Sequence, residues 1–274
     1  MAIYDVDGNA VTTDYKPLAG LKLSLLGDSI SSYAGTVPAG NDTYYKGNNA
    51  GVSSPDQMWW SVLCSLTGME PLVIDGYSGS AVTQLEDSAH VNKVPMSSDT
   101  RCGRLHSGTT NPDIILIAGG VNDYTYAMSA QSEPLDWDGL TAPTLSDSFT
   151  EAYACMIKKL QTNYPQALVV PLTTFFTMRG DDNGYTLTHT VTATNHTYTQ
   201  ADYNAKIEYV AKQMHVPCIR VDNIGVNRAN MYPTYASDSS TIPTHPNAKG
   251  QKLIGESVAV KLLEAAEGFA RTIA

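Results

Sequence analysis

Apolar residues fall into two rhythms along this chain. Short apolar-rich runs recur at Leu21–Gly27, Pro71–Asp75, Asp113–Ala118, Ala167–Thr174 and Cys218–Val221, and Asp113–Ala118 shows no alternation. Runs of this length without polar alternation are expected of strands buried on both faces of a parallel sheet. Between the runs the spacing changes to that of helices. Met58, Val62 and Leu66 share one face with Trp59 and Leu63 alongside; Phe149, Tyr153, Met156, Ile157 and Leu160 form a second stripe; Tyr203, Ile207, Val210 and Met214 form a third. Ser54-Pro55 supplies a start signal for the first helix, and Gly68 is placed to end it. Pro246 stands at a favourable first position for a closing helix. Strands alternating with helices predict parallel β-α units with right-handed crossovers. The expected fold is therefore α/β: a three-layer α/β/α sandwich around a five-stranded parallel sheet in the flavodoxin-like order 2-1-3-4-5.

Polar stretches divide these elements. Residues 1–20 carry Asp-Gly and Lys-Pro turn signals and read as an arm or a short edge hairpin. Residues 21–274 read as one domain, with no internal repeat. Long loops are expected at 34–56, 129–146 and 223–244. The polar insertion 179–199, rich in Thr, Asn and His, has the character of a lid. Residues 86–111 show no clear period.

Composition narrows the partners. A hydrophobic content of 42% over 274 residues is enough for a full core. The formal net charge of -10 argues against nucleic acid, because an acidic surface repels phosphate, and it offers no basic patch to an anionic membrane. No apolar run is long enough to span a bilayer. The first residues, Met-Ala-Ile-Tyr-Asp-Val-Asp-Gly, have neither a basic start nor an apolar stretch, so no signal peptide is expected. The low charged fraction and the many Thr, Asn and Tyr residues lean towards an extracellular protein. Cys64, Cys102, Cys155 and Cys218 form no Cys-x-x-Cys pair and have no histidine at zinc-ligand spacing. Cys64, Cys155 and Cys218 lie in apolar segments and read as buried free thiols. No metal and no cofactor is expected.

The candidate chemistry lies at the strand ends. Gly27-Asp28-Ser29 follows the first run, Ser78-Gly79-Ser80 the second, and Gly120-Val121-Asn122-Asp123 the third, while His245 precedes the last helix. A parallel sheet brings all four to one edge, where open α/β sheets place their sites. Ser29 alone fits either a helix N-cap or a nucleophile. With the other turns it fits serine acyl transfer: Ser29 attacks a carbonyl and His245 takes its proton. The Ser29 N–H, the Gly79 N–H and the Asn122 carboxamide are the donors for the oxyanion.

These blocks resemble the SGNH, or GDSL-type, hydrolases. The Gly-Asp-Ser block is matched by Gly27-Asp28-Ser29-Ile30, the second-block glycine by Gly79, and Gly-x-Asn-Asp by Gly120-Val121-Asn122-Asp123. The histidine block is matched by His245-Pro246-Asn247-Ala248-Lys249-Gly250, and the resemblance spans 21–268. It implies a Ser-His esterase with no metal and no nucleotide. One position departs. The family carries an aspartate three residues before the histidine, where this chain has Ile242. Asp238 is the nearest acid and the favoured partner for the imidazole; a backbone carbonyl is the alternative.

Tyr33 and Tyr124 flank the catalytic turns and are expected at the substrate, as are their neighbours Tyr44, Tyr45 and Tyr126. Trp59-Trp60 reads as core. The site loops are polar and aromatic rather than apolar, which favours O-acetyl groups on a glycan; members resembling this chain at Gly-Gly-x-Asn-Asp-Tyr imply the same. A small-acyl or lipase-like esterase is the alternative substrate reading, and a non-catalytic glycan-binding module is the alternative in another class. A flavodoxin-like nucleotide site is disfavoured, because no Gly-rich phosphate loop with Lys is present. The oligomeric state is left open.

Overall fold

Strand β1 (Lys22–Gly27) lies at the centre of a parallel sheet with β2 (Glu70–Gly76), β3 (Ile114–Ala118) and β4 (Leu168–Pro171), in the order β2-β1-β3-β4. The coordinates are a computed structural model that describes residues 3–4, 10–11, 17–85, 92–125, 148–177, 188–191, 196–240 and 243–266. This is the expected order for the first four strands. The expected fifth strand, Cys218–Val221, is reduced to a single parallel bridge between Leu172 and Ile219. Thr173 explains the shortening. Its hydroxyl oxygen accepts the Val221 N–H at 2.8 Å and the Asp222 N–H at 3.2 Å, so a side chain replaces the next carbonyl of the ladder. The sheet is therefore four-stranded with a one-bridge extension.

The runs without alternation bury both faces, as parallel strands between helices must. Leu23 and Leu25 of β1 and Ile114 and Leu116 of β3 enter one core, which α1 (Trp59–Thr67) and α6 (Ala248–Ala265) cover. Leu26, Ile115 and Ile117 enter the other, covered by α4 (Phe149–Asn163) and α5 (Gln200–Gln213), with α2 (Asp99–Gly103) against α4. A short α3 (Val121–Thr125) follows β3. On the first face, α1 and α6 come close because of Gly255, where a Cβ would stand 2.6 Å from the Trp59 carbonyl oxygen. Gly68 ends α1 in the left-handed conformation, with its N–H donated to the Cys64 carbonyl. The Ser54-Pro55 signal opens a 3-10 turn at Pro55–Gln57, one step ahead of the helix.

Ile3–Tyr4 pairs antiparallel with Ala10–Val11 inside the expected arm. Within the polar insertion, Thr188–Val191 pairs antiparallel with His196–Thr199, which runs into α5. The remainder of the proposed lid, like Tyr126 and Ile242, lies outside the described residues. All four cysteines are free thiols, and Cys64, Cys102 and Cys155 are buried.

Candidate active site

The nucleophile candidate stands on a braced turn. The Asp28 carboxylate accepts the Ile30 N–H at 2.9 Å and opens a 3-10 turn over Ser29–Ser31. Elements from elsewhere hold the turn in place. The amide of Gln251, on α6, donates to the Ile30 carbonyl at 3.0 Å, and its oxygen accepts the Trp59 N–H at 2.8 Å. The indole N–H groups of Trp59 and Trp60 donate to Ser31 Oγ and Ser31 O, both at 3.1 Å. The tryptophan pair is thus core, as its sequence context suggested, and it also supports the turn.

The Gly79 turn lies across from it. Gly79 has φ +79°, a conformation glycine adopts freely and other residues rarely. The flanking N–H groups, of Ser78 and Ser80, donate to Asp42 O and Tyr77 O. Among the described residues no acceptor takes the N–H of Gly79 or of Ser29. The third block fastens α3 to this turn. Asn122 Nδ2 donates to the Ser80 carbonyl at 2.8 Å. Asp123 accepts the Val82 and Thr83 N–H groups and the Thr83 hydroxyl at 2.7 to 3.0 Å. Asp123 thus binds backbone some forty residues away in sequence.

Beneath both turns lies Arg101, a residue that no motif marks. Its side chain is fully buried. It donates to Gly27 O at 2.9 Å, to the Asp75 carbonyl, to Ser80 Oγ at 2.8 Å and to the Asp75 carboxylate. One guanidinium therefore ties the end of β1, the end of β2 and the Gly79 turn together. Burial alone would raise the Asp75 carboxyl, but Arg101 and Arg104 hold it below its ordinary range.

His245 Nε2 lies 2.9 Å from Ser29 Oγ, and His245 Nδ1 lies 2.8 Å from Asp238 Oδ2. Asp238 meets the ring because an antiparallel bridge between Ala236 and Pro246 closes the intervening loop on itself. The same carboxylate accepts the N–H groups of Thr244 at 3.1 Å and His245 at 3.0 Å, which fixes its direction. Burial works against the charge of Asp238, but the His245 hydrogen bond and charge, with these N–H groups, hold it ionised below its usual range. An ionised carboxylate only accepts, so Nδ1 carries the proton and Nε2 accepts from the serine hydroxyl. Ser29, His245 and Asn122 are 5%, 8% and 6% exposed, so all three are buried. Asp28 is pushed up to about 7, chiefly by burial and also by Asp123, against the pull of the Ile30 N–H and Arg101.

Two of the tyrosines expected at the substrate are packed into the interior. Tyr124 is fully buried on the inner face of α3, edge to face with Tyr203 at 5.8 Å. Tyr33 is buried too, and its hydroxyl donates to Ser53 O at 2.9 Å. Packing claimed both rings, since a buried phenol needs apolar neighbours around it. Tyr44 and Tyr45 do reach the site, against His245. Among the described residues no three His, Cys, Asp or Glu side chains gather as a metal site. None of their helices is long and apolar enough to cross a membrane.

The sequence model of the GDSL-like lipase/acylhydrolase family matches residues 21–175, more than half of the chain. The chain belongs to the GDSL-like lipase/acylhydrolase family. It is accordingly a carboxylic ester hydrolase. Its fold is similar to that of a Bacteroides uniformis protein described as a GDSL-like lipase, at 23% identity and TM-score 0.65 over 89% of this chain and 96% of that one. It is also similar to a carbohydrate esterase family 2 enzyme with a carbohydrate-binding domain from Corynascus thermopiles (18%, TM-score 0.55, 95% and 70%). A third likeness is to the aryl esterase of M. smegmatis (14%, TM-score 0.57, 90% and 100%). No curated protein matches the chain significantly.

Proposed function

We propose that this hydrolase removes O-acetyl groups from a carbohydrate through an acyl-enzyme on Ser29. The observation that carries the reading is the unbroken relay from Ser29 Oγ through His245 to Asp238, at 2.9 and 2.8 Å. Ser29 Oγ attacks the ester carbonyl as its proton passes to His245 Nε2. The carbonyl oxygen becomes an oxyanion facing the N–H groups of Ser29 and Gly79 and the second proton of Asn122 Nδ2, whose first proton is held by Ser80 O. Asp238 stabilises the imidazolium. The imidazolium then gives its proton to the departing sugar oxygen, leaving acetyl on Ser29. Water repeats the sequence and releases acetate. Asp28 braces the turn and does not react.

The polar and aromatic loop 34–56, which lays Tyr44 against His245, supports a sugar rather than a long acyl chain, since a fatty chain needs an extended apolar groove. Fold likeness to two carbohydrate esterases of family 2, from Corynascus thermopiles and Clostridium thermocellum, points the same way. The test compares acetate release from acetylated polysaccharides with hydrolysis of p-nitrophenyl esters of increasing chain length. Acetate release that disappears in Ser29→Ala, with turnover falling steeply beyond short acyl chains, is expected. Preference for long-chain esters and no acetate release would overturn the carbohydrate reading. Full activity in Ser29→Ala, or no labelling of Ser29 by a fluorophosphonate, would overturn the mechanism.

A further inference from the structure

The Tyr44 ring lies flat on one face of the His245 imidazole, with ring centroids 3.4 Å apart and planes 9° from parallel. The segment that carries it is fastened at both ends of the relay. The Tyr44 N–H donates to Ser32 Oγ at 2.9 Å, and Ser32 Oγ donates to the Ser29 carbonyl at 3.2 Å. The Tyr45 N–H donates to Ser32 O, and its carbonyl accepts the Ala34 N–H. The Tyr45 hydroxyl donates to the carbonyl of Pro246, the residue after His245, at 2.7 Å. Asn49 Nδ2 donates to the Tyr44 carbonyl at 2.6 Å. The stack is therefore held from the nucleophile's turn on one side and from the histidine's own strand on the other.

We propose that Tyr44 is a positioning residue for the base: its ring keeps the imidazole in the plane shared by Ser29 and Asp238 and favours the imidazolium that forms as Ser29 loses its proton. The inference rests on the reading of Ser29 and His245 as nucleophile and base. The face of a neutral phenol ring is electron-rich and attracts a cation laid against it. Tyr44 stays neutral, since burial and the nearby Asp238 push its hydroxyl up to about 12. The titratable groups facing the imidazole are Asp238 at Nδ1, the Ser29 hydroxyl at Nε2, Tyr44 on the face and Tyr45, which crosses the ring at 85°. Asp28 acts electrostatically on Tyr45. Asp238 anchors the ring along its edge, and Tyr44 acts on the face that Asp238 cannot reach.

A cation–π contact and a mere cover predict opposite shifts. Removing an electron-rich face disfavours the imidazolium and lowers its pKa, whereas uncovering the ring to water favours the imidazolium and raises it. The His245 imidazole is to be titrated by NMR in a Ser29→Ala background, with tyrosine, Tyr44→Phe and Tyr44→Leu at position 44. Tyr44→Leu should lower the imidazole pKa by roughly half to one unit, and Tyr44→Phe should leave it within about a quarter of a unit. Pentafluorophenylalanine introduced at position 44 keeps the shape, reverses the charge of the ring face, and should lower the pKa like Leu. With Ser29 restored, Tyr44→Leu should cost on the order of tenfold in kcat with KM little changed, and move the acid limb of kcat/KM to lower pH. An unchanged or raised imidazole pKa in both the Leu and the fluorinated proteins would overturn the proposal, as would Phe behaving like Leu. The NMR titration reads the imidazole without turnover, so its failure is separate from a failure of the esterase mechanism, which Ser29→Ala tests alone.

Discussion

Asp238 stands seven residues before His245, and the bridge between Ala236 and Pro246 brings it back to the ring. With Ile242 at the position where the resembling pattern has its acid, the carboxylate that faces His245 Nδ1 comes from a different place on the same loop. Asp238→Asn presents an amide to Nδ1, which favours the wrong tautomer, and should lower kcat by roughly 10⁴ as in other serine triads. Ile242→Ala should stay close to the parent. A loss below tenfold in Asp238→Asn would hand the orienting role to a backbone carbonyl. Asn122→Ala should cost on the order of 10² to 10³ in kcat with KM nearly unchanged. Because Asn122 also holds Ser80 O, a melting curve must accompany the assay. A loss confined to KM would remove Asn122 from the oxyanion donors. Ser29, Gly79, Asn122 and His245 were legible as candidates because residue type at strand ends marks them, and the structure brings Ser29 and His245 together. The packing of Tyr33 and Tyr124 was not, because closeness in sequence to a motif does not give the direction of a ring. Tyr44 carried no signal beyond its place in a loop beside the site.

At the scale of elements, the first four strands and helices α1, α4 and α5 followed from apolar spacing, whereas α6, expected to open at Pro246, is capped by Asn247 and opens at Ala248, and the exceptions have local causes. Cys218–Val221 has the apolar residues of a short strand around Arg220, yet the Thr173 hydroxyl takes its backbone donor and limits pairing to one bridge. Helix α2, at Asp99–Gly103, is too short to show a period, so Arg101 passed unnoticed in the sequence. Its side chain is nonetheless what joins β1, β2 and the Gly79 turn. Arg101→Met leaves the buried Asp75 carboxylate short of a partner. Loss of one member of a buried pair costs roughly 3–5 kcal/mol, and the surviving Arg104 contact sets the expectation at the lower end. Arg104→Met, at a side chain 30% exposed, should cost about 1 kcal/mol or less. Urea unfolding of the two variants checks the order. Equal midpoints would mean that Asp75 does not depend on Arg101. Where Arg101→Met remains folded, kcat should fall with it, since both oxyanion turns lose a shared anchor.

For the whole molecule, strand–helix alternation and the handedness of crossovers bring the four site blocks to one sheet edge, which is why the site could be read before its distances were known. That placement buries acids of opposite behaviour in one fold, and the pH dependence of stability follows. Asp75, Asp222 and Asp238 are held below the ordinary carboxylate range, so the stability they contribute is present above that range and is lost as pH falls through their folded values. Asp28 is raised to about 7, the reverse case. Between its unfolded value of 3.8 and about 7 the folded chain holds a proton that the unfolded chain has released. Stability therefore declines over that window, by a total of about 4 kcal/mol at 1.36 kcal/mol per unit. Asp28→Asn keeps a side-chain oxygen for the Ile30 N–H and removes the ionisation. Its stability relative to the parent should rise from pH 4 to about pH 7 and level off above that, as read by urea midpoints at each pH. Asp123 helps to raise Asp28, so the difference reads residue 28 together with its coupling to Asp123. Parallel stability curves for the two proteins across that range would show that Asp28 titrates as an ordinary carboxylate and that the turn beneath Ser29 tolerates its charge.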